Sequence, residues 1–208
     1  MRLRLVPALA AATLLLAVPA NAATDRPQVR DPKGDVKGGM AELDIVSARW
    51  STTGKGDAMR LVATLTLAAP PKKDVPYIYD MKSQVRDCGT LWFQYTPGTV
   101  MTRADDVNHP LVSDGDTTAT VWTACGSGAE DSDGRALLYK ELQFVQAGNT
   151  ISWSVPVSAL PDRIEVGSVF YDFSAIADVG DPVVGHSPQS IAGGSLDSAY
   201  GDGTWRLR

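Results

Sequence analysis

The sequence contains few of the residues on which zinc and nucleophile chemistry depend. It has only two histidines and two cysteines among 208 residues, whereas a zinc site needs several clustered nitrogen or sulfur ligands. His186 lies in "GHSPQ" (185–189), which ends in Gln where the Gly-x-Ser-x-Gly nucleophile elbow ends in glycine. We therefore expect neither a zinc centre nor a Ser-His-Asp site, and we predict that the protein is not an enzyme.

Clusters of basic residues and long apolar runs are also missing. The chain has 19 basic and 24 acidic residues and a formal charge of −5, whereas a nucleic-acid partner requires Lys and Arg clustered on one surface. Beyond residue 22, no stretch approaches the roughly 20 apolar residues of a membrane span. The sequence thus predicts no nucleic-acid partner and no membrane span in the mature protein.

The first 22 residues have the pattern of a cleaved secretory signal peptide. Arg2 and Arg4 precede an apolar run from Leu5 to Val18, and "ANA" (20–22) supplies the small residues of a cleavage site. No cysteine follows this run as the site of a lipid anchor. We therefore expect a secreted, extracellular protein whose mature chain begins near Ala23.

Apolar and polar residues alternate along much of the mature chain, with turn residues between the alternating segments. "RLVATLTLA" (60–68) and "TISWSVPV" (150–157) each place their large apolar side chains on one face, as half-buried strands do. Further strands are predicted over 43–51, 77–85, 90–96, 118–125, 136–145 and 166–175. With no long amphipathic helix between them, these segments predict an all-β protein. The expected architecture is a single antiparallel β-sandwich domain over 23–208, with a Gly-, Ser- and Asp-rich loop region at 178–208 and a short strand near its end.

Cys88 and Cys125 most simply form one disulfide in an exported chain, although two free thiols are the alternative. If the two cysteines face each other across neighbouring antiparallel strands, the same register places Trp92 opposite Val121. Leu91 then faces the core, and Trp92 lies on the other face. Trp92 is therefore the aromatic residue that we expect to be at least partly exposed, unless a loop covers it.

The acidic residues are the feature that points most directly to a ligand. "DPKGD" (31–35) offers Asp31 and Asp35 around a Pro and a Gly that bend the chain, and Asp44 lies where a strand is predicted to begin. "DVGDP" (178–182) adds Asp178 and Asp181 near the other end of the chain. Calcium takes oxygen ligands from such loops, so these residues are candidate metal ligands. The alternative interpretation is a set of Asx-type turns with solvated carboxylates.

Several of these segments resemble a known group of exported bacterial domains. The "DPKGD" loop, "LDIVSARW" (43–50) and "GNTISWSVPVSAL" (148–160) are similar to segments of DOMON domains and family 9 carbohydrate-binding modules. The resemblance implies a jelly-roll-like sandwich, often with structural calcium near the N-terminal loop. Carried over by position, it nominates Asp31, Asp35 and Asp44 as cation ligands, and it identifies no sugar-contacting residue.

The sequence as a whole predicts a secreted, non-catalytic binding module with structural Ca²⁺. A glycan or cell-wall polymer is the expected partner, and Trp92 is the candidate binding residue. One alternative is a structural or interaction protein of the cell exterior, which an exposed sheet edge or apolar patch would favour. A further alternative is a hydrolase with two facing carboxylates, one of them with a raised pKa.

Overall fold

The structure is a computed structural model that describes residues 26–36, 39–72, 75, 77–97, 112–113, 117–123, 135–136, 142–161, 163–179 and 197–208. These residues form twelve strands, named β1 to β12 in chain order: Val29–Arg30, Ile45–Thr53, Arg60–Leu67, Tyr77–Val85, Gly89–Pro97, Val112–Ser113, Thr117–Thr123, Arg135–Ala136, Gln143–Ala147, Thr150–Pro156, Val169–Val179 and Asp197–Arg206. Among the described residues, helical structure is limited to short 3₁₀ turns at Gly56–Ala58 and Val157–Ala159. None of the described helices has the length and apolar character needed to cross a membrane.

The strands form two antiparallel sheets that pack face to face. The five-stranded sheet has the order β1-β2-β3-β10-β9, and the seven-stranded sheet has the order β12-β11-β4-β5-β7-β6 with β8 beside β7. Both segments in which the alternation is clearest, β3 and β10, pair directly with each other. The prediction of an antiparallel β-sandwich is confirmed.

The core lies between the two sheets and is built by the alternation seen in the sequence. Trp50 of β2 and Phe173 of β11 meet across the sheets with ring centroids 4.9 Å apart, and Phe93 of β5 lies 6.2 Å from Trp153 of β10. All four side chains are buried. Each contributes about 1.5–3 kcal/mol of stabilisation through removal of apolar surface from water. The sandwich therefore supplies a rigid base for the loops at its ends.

The predicted register between β5 and β7 is wrong by one residue. Trp92 pairs with Trp122 rather than with Val121. The physical reason is the position of Cys88, which lies in the turn before β5 and therefore cannot set which strand residues face each other. The predicted core side of β5 is nevertheless right, because Leu91 is fully buried.

The region 178–208, which the sequence predicts as loop with a short strand near its end, contains more strand than expected among its described residues. β11 continues to Val179, and β12 is a ten-residue strand that pairs with β11. Gly201 and Gly203 interrupt the apolar alternation there, so the strand has a weak signature in the sequence. At Gly201, an added Cβ would lie 2.0 Å from the carbonyl oxygen of Gln28. The backbone of β12 thus packs directly against the segment that leads into β1.

Candidate metal centre

The "DPKGD" segment forms a turn that brings the side chains of Asp31 and Asp35 together. Asp31 follows β1 directly, and its N–H donates to the carbonyl oxygen of Val46 at 3.2 Å. Gly34 has φ of 95°, a left-handed conformation that glycine adopts without steric cost. The chain therefore reverses between the two aspartates, and one carboxylate oxygen from each belongs to a single cluster.

Asp44 holds this turn from the residue before β2. Its Oδ2 accepts a hydrogen bond from the N–H of Gly34 at 2.7 Å. The residue is 2% exposed, and its Oδ1 is buried without a hydrogen-bond donor among the described residues. A buried carboxylate oxygen without a donor is costly. A cation beside this oxygen would offset that cost.

β12 supplies a further carboxylate, Asp197, which was not among the residues predicted from the sequence. Its Oδ2 accepts a hydrogen bond from the N–H of Ile45 at 2.5 Å, and the residue is 5% exposed. One carboxylate oxygen from each of Asp31, Asp35 and Asp197 lies within 4.8 Å of the others. We name these three residues, together with Asp44, the aspartate cluster. It lies where β1 and β2 of one sheet meet β12 of the other.

Burial and the close spacing of the carboxylates raise the affinity of Asp31 and Asp197 for protons. Burial, together with the nearby carboxylates of Asp197 and Asp35, raises the pKa of Asp31 to about 6. Burial also raises the pKa of Asp197, although the hydrogen bond from Ile45 opposes this shift. A site that concentrates negative charge in this way favours a positive counter-charge.

The donor set fits a hard cation. Every candidate ligand is a carboxylate oxygen, and calcium prefers oxygen donors at about 2.3–2.6 Å, so ligands on opposite sides of one ion lie about 5 Å apart. The spread of 4.8 Å among the oxygens of Asp31, Asp35 and Asp197 is compatible with that distance. Asp31 Oδ2 and Asp44 Oδ1, the buried oxygens that lack a donor, are atoms that such an ion would satisfy. The residues present therefore fit calcium.

The structure does not bring Asp178 into this cluster. Asp197 pairs with Ala177, so the alternation of β11 directs Asp178 to the opposite face, where its carboxylate accepts a hydrogen bond from the N–H of Val179 at 2.6 Å. Asp181 lies outside the described residues. The carboxylate near the C-terminal end that joins the N-terminal loop is Asp197, which was not predicted, rather than the predicted Asp178.

A signal for Asp197 is present in the sequence, but it is weak. In "DSAY" (197–200), Asp197 and Ala199 are buried while Ser198 and Tyr200 are exposed, which is strand alternation with small or polar residues on the inner face. Apolarity alone does not mark such a face. The residue becomes identifiable as a candidate ligand only when β12 is seen to run beside β1.

Trp92 lies on the outer face of the seven-stranded sheet and is partly buried, in agreement with its predicted partial exposure. The Nζ atom of Lys82 lies 3.9 Å from the centroid of its ring. This cation–π contact occupies one face of the indole. Trp50 and Trp153, by contrast, are fully buried in the core. Trp92 therefore offers a sugar less open aromatic surface than the sequence suggests.

Cys88 is buried, and its Sγ lies 4.0 Å from Thr123 Oγ1 on β7. Cys125 lies outside the described residues, two positions beyond the end of β7. The pairing of Cys88 with Cys125 stays a prediction.

Comparison of the chain with protein-family models, curated proteins and solved structures finds no match. The resemblance to DOMON domains and family 9 carbohydrate-binding modules therefore stays a prediction.

Proposed function

We propose that this protein is an exported, non-catalytic β-sandwich module that is stabilised by calcium and binds a glycan or cell-wall polymer. The observation that carries the calcium proposal is the aspartate cluster, in which carboxylate oxygens of Asp31 and Asp35 from the turn after β1 and of Asp197 from β12 lie within 4.8 Å of one another. The signal-peptide pattern of residues 1–22 supports export. Extracellular calcium is abundant enough to occupy even sites of about millimolar affinity.

The ion has a structural role in this proposal. β1 and β2 belong to the five-stranded sheet and β12 to the seven-stranded sheet, so a cation held by all three segments cross-links the two layers. It also neutralises carboxylates that otherwise repel one another. Calcium binding therefore stabilises the folded chain in proportion to the occupancy of the site.

The hydrolase alternative has one supporting observation, the raised pKa of Asp31 beside a second carboxylate. Access to substrate argues against it. Asp44 and Asp197 are buried, and no member of the aspartate cluster lines either of two open depressions found on the described surface. A glycosidase places a sugar between its two carboxyl groups, at a separation of about 5 Å or more. The cluster is better suited to an ion than to a sugar ring.

A second candidate function, an interaction protein of the cell exterior, is favoured by one edge strand. β9 forms an edge of the five-stranded sheet, and its Val145 is 58% exposed. An exposed strand edge can pair with another chain. Sedimentation of the purified protein distinguishes this candidate, because self-pairing through β9 raises the molecular mass and Val145→Lys should abolish the increase.

Thermal unfolding of the mature protein in calcium and in chelator tests the calcium proposal. Calcium at a hundredfold excess over its dissociation constant should add about 2.7 kcal/mol to the free energy of unfolding. Asp197→Asn should remove most of this gain, because an amide keeps the hydrogen bond from Ile45 but loses the charge. Asp57→Asn is the matched control, since Asp57 is exposed and distant from the cluster in sequence.

Two outcomes would contradict the calcium proposal. One is an unfolding midpoint that does not change across millimolar calcium. The other is an equal loss of the calcium effect in Asp57→Asn and Asp197→Asn.

The glycan part of the proposal is tested separately with tryptophan fluorescence. Soluble cell-wall polymers should shift or quench the emission of the wild type, and Trp92→Ala should lose that response. Trp205→Ala serves as the control, because Trp205 packs against the buried core residue Phe170 rather than beside Trp92. A response that persists in Trp92→Ala would remove Trp92 from the binding surface.

A further inference from the structure

A depression of about 610 Å³ lies at the opposite end of the sandwich from the aspartate cluster. Asp197 and Arg206 are the first and last residues of β12, which separates the two ends by about 30 Å at a rise of about 3.3 Å per residue. We name this feature the arginine depression, because its lining includes three arginines with two acidic residues: Arg86, Arg163, Arg206, Asp87 and Glu165.

The base of the arginine depression is held by backbone hydrogen bonds among three segments. The N–H of Arg86 donates to the carbonyl oxygen of Val169 at 2.9 Å, and the N–H of Gly167 donates to that of Leu207 at 2.9 Å. Arg206 Nη1 donates to the carbonyl oxygen of Gly167 at 3.0 Å. Residues far apart in the sequence are thus held around one opening before any ligand binds.

The charged groups of the depression do not neutralise one another. No carboxylate of the described residues lies within 4.0 Å of the guanidinium group of Arg86, Arg163 or Arg206, although Asp87 and Glu165 line the same opening. Arg86, Arg163 and Arg206 are all exposed. A guanidinium carries a planar fork of donors that matches the oxygens of carboxylate, sulfate and phosphate groups.

We propose that the arginine depression binds the oxyanion groups of an acidic polysaccharide. Three guanidinium groups around one opening repel each other, and an oxyanion between them removes that repulsion while it accepts their hydrogen bonds. The carboxylates of Asp87 and Glu165 repel an anion that is not in direct contact with the arginines, so binding requires hydrogen bonds to the guanidinium groups.

The choice of a polysaccharide rests on the proposed function, whereas the recognition of an oxyanion rests on the arginine depression alone. The structure weakens the case for a neutral sugar on an aromatic platform, because Lys82 covers one face of Trp92. In this proposal, charged groups on the polymer contact the arginines and add to any contact between a sugar and Trp92. The two ends of the sandwich then have separate roles, with a cation site at one end and an anion site at the other.

Calorimetric titration of the full mature protein with four probes tests this proposal. Polygalacturonate and dextran sulfate supply carboxylate and sulfate on a polymer, unmodified dextran is the neutral control, and inorganic phosphate is the free anion. We expect both acidic polymers to bind and dextran not to bind. Stronger binding of inorganic phosphate than of either polymer would identify a small-anion site and overturn the polysaccharide assignment.

Substitutions at the opening locate the binding site. Arg86→Gln and Arg163→Gln should each weaken binding of the acidic polymers about tenfold, since each removes one charge-assisted contact. Arg49→Gln makes the same charge change on the outer face of β2 and should leave binding within about twofold. The unfolding midpoint of each variant, compared with the wild type, verifies that the variants fold.

The outcomes separate this inference from the proposed function. Absence of binding by either acidic polymer, equal binding of dextran, or an equal effect of Arg49→Gln would each overturn the oxyanion site. If arginine-dependent binding persists while calcium fails to stabilise the protein, only the calcium proposal fails. If calcium stabilises the protein and the acidic polymers do not bind, only the oxyanion site fails.

Discussion

Asp80 is a buried carboxylate on the outer face of the seven-stranded sheet, where strand alternation ordinarily exposes polar side chains. Gln94 Nε2 donates to its Oδ1 at 3.1 Å, and Lys82 Nζ lies 3.9 Å from its Oδ2. The pKa of Asp80 is raised to about 6. Burial is the main cause, Lys82 and a hydrogen bond from Trp92 oppose it, and Asp178 on β11 adds to it. The folded chain therefore binds a proton at Asp80 more tightly than the unfolded chain does.

This shift predicts a fall in stability as the pH rises. The pKa of Asp80 in the folded chain is above its ordinary value of 3.8, so the proton at Asp80 contributes its full stability below about pH 4, and the contribution is lost as the pH rises through about 6. Asp80→Asn keeps the shape but does not titrate. The difference in free energy of unfolding between variant and wild type should change by up to about 3 kcal/mol between pH 4 and pH 7.

Urea unfolding at several pH values in this range measures the effect of Asp80. Asp57→Asn is the control, because it makes the same substitution at an exposed position and should change the free energy of unfolding by less than about 0.5 kcal/mol. If the free energy of unfolding varies with pH in the same way for Asp80→Asn and the wild type, the pKa of Asp80 is not raised in the folded chain.

At the scale of the element, β12 determines how the two sheets close. It pairs with β11 across a register shift near Asp172, a residue with φ of 48°. On its other side, it approaches Gln28 so closely that only glycine fits at position 201. The same strand carries Asp197 of the aspartate cluster and Arg206 of the arginine depression. A change in the packing of β12 therefore displaces both candidate sites.

Gly201→Ala should destabilise the protein by at least about 2 kcal/mol, because the added Cβ overlaps the carbonyl oxygen of Gln28 and the backbone must shift. The shift also moves Asp197, so we expect a higher calcium concentration at half-maximal stabilisation. Urea denaturation followed by circular dichroism, with and without calcium, measures both effects.

Ser198→Ala is the matched control on the same strand. Ser198 is exposed, so its substitution should change the free energy of unfolding by less than about 0.5 kcal/mol. A similar loss in both variants would show that the close approach at Gly201 is not the cause.

At the scale of the whole molecule, the predicted export of the protein and the predicted Cys88–Cys125 disulfide depend on each other. If residues 1–22 are removed during export, Cys88 and Cys125 enter an oxidising compartment, where a disulfide persists. Intact mass spectrometry of the exported protein should give the mass of residues 23–208 less about 2 Da for the two lost hydrogens. A thiol titration that finds two free cysteines would contradict the pairing.

Reduction should then lower the free energy of unfolding by about 3–4 kcal/mol, because the cross-link limits the freedom of the unfolded chain over a loop of this length. The double variant Cys88→Ala and Cys125→Ala is the control, since a reducing agent should leave its stability unchanged. Unfolding in urea, with and without the reducing agent, measures the difference.

Local pattern in the sequence is sufficient for most of the fold. Period-two alternation predicts β3, β4 and β10 to within about one residue, because each strand buries one face against the core and the sequence carries that face directly. The turn residues of "DPKGD" likewise indicate that Asp31 and Asp35 converge.

The sequence by itself therefore determined the β-sandwich class, the core faces and three of the four members of the aspartate cluster, Asp31, Asp35 and Asp44. Only the tertiary structure decided the β5–β7 register and the extent of β12. It also decided that Asp197, rather than Asp178, belongs to the aspartate cluster. It alone brought Arg86, Arg163 and Arg206 to one opening. Alternation specifies which side of a strand is buried, but not which distant strand lies beside it, and both sites depend on such pairings.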